Sequence, residues 1–210
     1  MAAYAAASST TASFETVRDA ASAGQERKPN KTTTRSYRDA LTRVWVLDEV
    51  SAWIPANNPL RQLGQAPKHQ LADPALAAQL LGVQAATLLA GRSAGPEIPR
   101  NGTLLGALFE SLATQSVRVY AAHSETKVRH LRTARGRQEV DLIVERADGG
   151  VLAIEIKLAR SVDGDVRHLN WLRGKLGDRM LDQVIVTTGP DAYRRKQDGI
   201  AVVPLALLGP

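Results

Sequence analysis

The chain has 210 residues, 44% of them apolar and 23% charged, which is enough to build a real hydrophobic core and too apolar for a disordered segment. Twenty-seven Lys and Arg against 21 Asp and Glu give a net charge of +6, so polyanionic partners are favoured, with nucleic acid ahead of acidic protein or lipid. The absence of cysteine excludes a disulfide framework, a zinc-thiolate site and a cysteine nucleophile. The first residues lack the basic and apolar regions of a signal peptide, and no apolar run has the length of a membrane span. A soluble, cytoplasmic protein with no membrane partner is expected.

Residues 2 to 22 hold an Ala-rich segment, a Ser8-Ser9-Thr10-Thr11 break and a stretch from Phe14 to Ala21 that Ser13 is placed to cap. Two short helices are expected there, followed by a polar stretch whose Pro29 does not suit a helix interior. Tyr37, Ala40, Leu41, Val44 and Trp45 then recur at helical spacing, and the opposite face carries Arg35, Arg38, Asp39 and Arg43. The Val-Leu-Asp-Glu-Val alternation after Trp45 reads as one or two short strands. Two short helices, a basic third helix and a β-wing describe a winged helix-turn-helix-like module over residues 1–55.

Between residues 27 and 43, Arg27, Lys28, Lys31, Arg35, Arg38 and Arg43 meet a single acid, Asp39. Lys31, Arg35 and Arg38 are therefore candidate nucleic-acid contacts. The alternative is a protein-docking module with a solvated basic face.

Pro55, Pro59 and Pro67 with two Asn mark residues 56–67 as a linker, leaving residues 68–210 as a second domain. Within it, His69 to Ala72 reads as a short strand. Asp73-Pro74 reads as a cap with Pro at the first helical position, and Ala75 to Leu81 as a helix stopped by Gly82. After a Gly- and Pro-rich loop from Gly91 to Asn101, an apolar helix is predicted over about 103 to 120, with Glu110 inside it. Strands are expected over Lys127 to Thr133, Gln138 to Glu145 and Val151 to Leu158, with turns at Ala134 to Arg137 and Asp148-Gly149-Gly150. A helix over Val166 to Leu176 and strands at Gln183 to Thr187 and Ile200 to Val203 complete the order. The expected fold class is α/β, a mixed sheet with flanking helices.

Strand alternation puts Glu155 and Lys157 on one face, with Ile154, Ile156 and Leu158 on the other; Asp141 shares a face with Glu139. Whether Asp141 meets Glu155 depends on the intervening turn. A two- or four-residue loop pairs Asp141 with Ile156 and separates the carboxylates. A three-residue loop of Ala147, Asp148 and Gly149 pairs Arg146 with Gly150 and sets Asp141 across from Glu155. Glycine is available for the left-handed position of the odd loop, so the odd register is predicted, from that loop or from a bulge in either strand.

Two adjacent carboxylates repel unless a positive charge lies between them, and a divalent cation meets that need. Mg2+ or Mn2+ held by Asp141, Glu155 and the carbonyl of Ile156 is the expectation, with Glu110 on a second metal or its water and Lys157 orienting the attacking water. A solvated Glu155 and Lys157 pair is the plainer reading of the same pattern.

The order of Gly106 to Glu110 in an apolar helix, Gln138-Glu-Val-Asp141-Leu-Ile-Val and Ile154-Glu-Ile-Lys157 resembles the PD-(D/E)XK nuclease superfamily. Val140 stands where that motif carries Pro. More narrowly, Thr32 to Trp53, Lys68 to Leu76, Leu108-Phe-Glu-Ser-Leu112, Gly136 to Lys157 and Ala192 to Pro204 resemble the C-terminal part of prokaryotic AAA+ family ATPases. In those proteins a winged helix and a nuclease-like domain of unknown function follow an ATPase module. The resemblance implies a metal-dependent DNA phosphodiesterase, or an inactive nuclease fold that binds DNA or docks an ATPase module. No Gly-x-x-x-x-Gly-Lys-Ser/Thr is present, so ATP hydrolysis is not expected of this chain.

Lys127, Arg129, Arg132, Arg135 and Arg137 put five basic residues beside the expected site. Arg129, Arg132 and Arg137 are candidate nucleic-acid contacts, against the alternative of a charged sheet edge. His69, His123, His130 and His168 show no metal-ligand spacing and read as structural or surface residues. Trp45, Trp53 and Trp171 read as core.

Overall fold

A computed structural model describes residues 1–24, 26, 28–54, 66–91, 97, 102–133, 136–158 and 166–209. The expected linker lies outside them except for residues 66 and 67, as do the first two residues of the turn at 134–137 and Arg27 and Arg135. The chain forms two compact units: Met1–Val50 with Ala66–Leu112, and Ser51–Gln65 with Ala113–Pro210. Residues 68 to 112, expected in the second domain, thus pack within the first unit.

The first unit opens with α1 (Ala2–Ala6), a helix too short to persist alone that is held by burying Ala3, Tyr4, Ala5 and Ala6. In α2 (Phe14–Ala21) the Ser13 side chain accepts from the Thr16 N–H, the expected cap. Asn30 does the same for α3 (Lys31–Arg43), through Thr33 N–H. Leu47 bridges Leu71 and Val50 bridges Lys68, both antiparallel, which ties residues 66–71 to the segment after α3. Asp73 caps α4 (Pro74–Leu80) as expected, and α5 (Ala85–Leu89) follows. Leu47, Leu71, Ala77, Leu81, Leu104 and Leu108 close the core over α1.

One expected face is not buried. No residue of α3 is buried, and Tyr37, Val44 and Trp45 are 67%, 64% and 74% exposed. Leu41 alone of that apolar stripe packs against the core, because the chain turns away after Val44 with Trp45 at a positive φ. Trp53 is buried and Trp171 half-buried, in the second unit's core.

The chain passes between units within α6 (Leu104–His123). The second unit is a six-stranded mixed sheet in the order β1 (Lys127–Arg132), β2 (Glu139–Glu145), β3 (Val151–Ile156), β4 (Met180–Thr187), β6 (Ala201–Pro204), β5 (Tyr193–Arg194). The first three strands are antiparallel neighbours; β3, β4 and β6 run parallel, and β5 is antiparallel to β6. Helix α7 (Arg167–Leu176) makes the crossover from β3 to β4 and packs Leu169 and Leu172 on Ile143, Ala153 and Ile185. The expected mixed α/β sheet with flanking helix is therefore present. Among the described residues no helix is long and apolar enough to cross a membrane.

Candidate active site

The β2–β3 hairpin has the odd register. Arg146 N–H donates to the Gly150 carbonyl at 2.9 Å across a three-residue turn, and Gly149 takes φ +83°, the left-handed conformation such a turn needs. Pairing continues through Val144 with Leu152 and Leu142 with Ile154, so Asp141 stands across from Glu155 at the end of the ladder. On its other side β2 is bulged: Arg129 pairs with Ile143 and Leu131 with Val140, so Asp141 and Leu142 together face the single residue His130. A bulge of this kind re-aims a side chain and ends regular pairing.

Asp141 Oδ2 accepts from the Ile156 N–H at 2.9 Å. Lys157 Nζ lies 3.1 Å from Glu155 Oε2. Asp141 is 8% exposed and Glu155 3%, which replaces the solvated pair with a buried one, because α7 and the β4 side chains cover the face that alternation alone leaves open. Burial, then the Asp141 charge, pushes the Glu155 carboxyl well above the usual range, against the pull of Lys157. Glu155 Oε1 is buried with no hydrogen-bond partner.

Glu110 belongs to the first unit, where Lys68 Nζ donates to its Oε1 at 2.8 Å. Lys68 is 2% exposed, and its sequence neighbours carry no sign of this role. The structure thus groups Asp141, Glu155 and Lys157, and answers Glu110 with a lysine from a distant segment. Among the described residues no three His, Cys, Asp or Glu side chains come together as a metal-binding group; the acidic set here is the pair.

A further residue near the pair escaped sequence reasoning. His168 Nδ1 is 2.6 Å from Gln138 Oε1, and burial, Arg167 and Lys157 hold the imidazole below its ordinary pKa against Glu139 and Asp141. The signal available was topological: a helix crossing over from β3 must begin near that strand's end.

The candidate nucleic-acid contacts are partly neutralised. Lys31 pairs with Glu15, Lys28 with Asp19, and Arg35 and Arg38 with Asp39. Arg38 also lies 4.2 Å over the Phe14 ring. Lys31, Arg35 and Arg38 line a cavity of about 230 Å3 with Tyr4, Phe14, Glu15 and Arg18, so they edge a concavity and not a bare ridge. In the second unit Arg129 pairs with Glu145 at 3.3 Å and Arg132 with Glu139 at 3.9 Å, while Arg137 is exposed.

No curated protein matches the chain. Among solved structures, one chain of the Thermococcus gammatolerans McrB AAA+ hexamers with bound McrC is similar over 90% of this chain, at 13% identity and a TM-score of 0.34, a likeness too weak to assign a common fold. This chain covers 65% of that one, just under two thirds of its length. Residues 1–87 match the family described as domain of unknown function DUF8612, and residues 105–208, which contain Asp141, Glu155, Lys157 and His168, match the one described as domain of unknown function DUF4143.

Proposed function

We propose that the second unit carries a nuclease-like site that hydrolyses phosphodiester bonds in DNA with a divalent cation. The observation that carries this reading is the buried Asp141 and Glu155 pair, one of whose oxygens, Glu155 Oε1, lacks a donor while Lys157 sits on the other. A buried acceptor beside a second carboxylate fits a hard cation such as Mg2+ or Mn2+, with Asp141, Glu155 and the Ile156 carbonyl to hold it. When bound, the cation would neutralise charge on the phosphate and acidify a water. The Ile156 N–H fixes Asp141, and Lys157 fixes Glu155 and offers its ammonium to the developing negative charge.

The test is cleavage of plasmid and labelled oligonucleotides under Mg2+ and Mn2+ titration, with Asp141→Ala and Lys157→Ala beside the wild type. Loss of about 100-fold or more in both variants is expected; equal activity in all three proteins would sink the reading. The Lys68 and Glu110 pair favours a second reading, an inactive nuclease fold that docks the ATPase module of the architecture it resembles. Under that reading Mg2+ changes neither stability nor cleavage.

A further inference from the structure

Hydrolysis at the proposed site needs a group that takes a proton from water, and the residues already described are otherwise engaged. The Lys157 ammonium donates to Glu155, Asp141 Oδ2 accepts from Ile156, and Glu155 Oε1 is the oxygen left for a cation.

The crossover from β3 to the parallel strand β4 makes α7 run back along the sheet, so its first turn lies by the end of β3 that carries Glu155. Leu169 and Leu172 pack in the same cluster as Ile143 and Ala153, and these stand two residues along from Asp141 and Glu155. Helix α7 thus covers the sheet beside the carboxylates, and His168 is in its first turn. Gln138, just before β2, lies 2.6 Å from His168 Nδ1 through its carbonyl oxygen. An amide oxygen only accepts, so Nδ1 carries the hydrogen and Nε2 keeps a lone pair.

We infer that His168 is the proton acceptor of this site, held by Gln138 in the tautomer that leaves Nε2 free to receive a proton from the attacking water. This rests on the function proposed above. As the water oxygen bonds to phosphorus, its proton passes to Nε2; the P–O bond to the leaving oxygen breaks, and that oxygen takes a proton from solvent. The imidazolium then returns its proton to solvent. The charged groups around the ring are Arg167 and Lys157, which disfavour its protonation, and Glu139 and Asp141, which favour it; burial and the two cations outweigh the acids.

The experiment measures Mn2+-dependent cleavage of a labelled oligonucleotide across pH by wild type, His168→Gln, Gln138→Glu and Asp141→Ala. Binding of the same oligonucleotide in Ca2+ is measured alongside, as is the imidazole tautomer by long-range 1H–15N NMR. His168→Gln should lower kcat about 100-fold with binding unchanged and abolish the acid limb of the kcat/KM profile. Gln138→Glu should move that limb to higher pH, which a merely structural role would not do. Cleavage that needs Asp141 but not His168, or an Nε2–H tautomer in the wild type, overturns the assignment to His168 alone. No cleavage by the wild type overturns both it and the proposed function.

Discussion

At the scale of single residues, the acidic pair is a cost that the fold carries. Burial and the Asp141 charge raise the Glu155 pKa, so the folded state holds that proton more tightly than the unfolded chain does. The stability this confers is complete below the ordinary glutamate value and is lost as pH rises through the raised one. In chelator, the melting temperature should therefore fall as pH rises from the ordinary glutamate value through the raised one. Below its ordinary value His168 acts in the opposite sense, because its pKa is lowered. Glu155→Gln should flatten the alkaline fall and raise the melting temperature at the high end; an unchanged slope by circular dichroism would mean that Glu155 ionises without penalty. The sequence brought Asp141, Glu155 and Lys157 to one face because alternation within a strand is local. It could not show the burial of Asp141 and Glu155, on a face where Leu169, Leu172 and Ile185 arrive from later elements.

At the scale of elements, the site depends on a turn. Gly149 sits at φ +83°, and an added Cβ would meet nothing closer than Arg179 Nε at 3.5 Å, so the obstacle to other residues there is backbone conformation alone. Gly149→Ala should cost about 1 kcal/mol by chemical denaturation, and Gly149→Asn less, since Asn tolerates the left-handed region. A cost well above that in both would mean that the turn, and with it the register, has been rebuilt. The hairpin was legible because a Gly-containing three-residue loop and two alternating strands specify one another. The bulge opposite His130 was not: it reflects pairing between β1 and β2 together with the bridge from His130 to Ala52, a residue far back in the chain.

At the scale of the whole molecule, the units are assembled from segments that composition alone separates. The Pro-rich stretch looks like a boundary, yet residues 66–112 return to the first unit through the pairing of Leu47 with Leu71 and Val50 with Lys68. The Lys68 and Glu110 ion pair joins that returning segment to α6, and with Lys68 2% exposed it is buried on one side. Lys68→Ala should cost on the order of 3 kcal/mol by removing the buried cation of this pair, whereas Lys68→Met with Glu110→Gln should restore most of it. Equal losses in the two proteins would show that packing of the lysine stem, and not charge, is what matters. The net +6 is likewise redistributed: Glu15 and Asp19 of α2 meet Lys31 and Lys28, which softens the basic character expected of residues 27 to 43.

The sequence by itself determined the order of β1 to β4, α7 and β6 in the second unit, though not β5, together with the caps at Ser13 and Asp73 and the odd register that brings Asp141 to Glu155. Each is written in neighbouring residues, as a periodicity, a capping side chain or a turn length. Only the tertiary structure decided that this pair is buried, that Lys68 answers Glu110, that His168 meets Gln138 and that Tyr37, Val44 and Trp45 face solvent. Those outcomes depend on which distant segments cover a given face, and a local pattern carries no record of its cover.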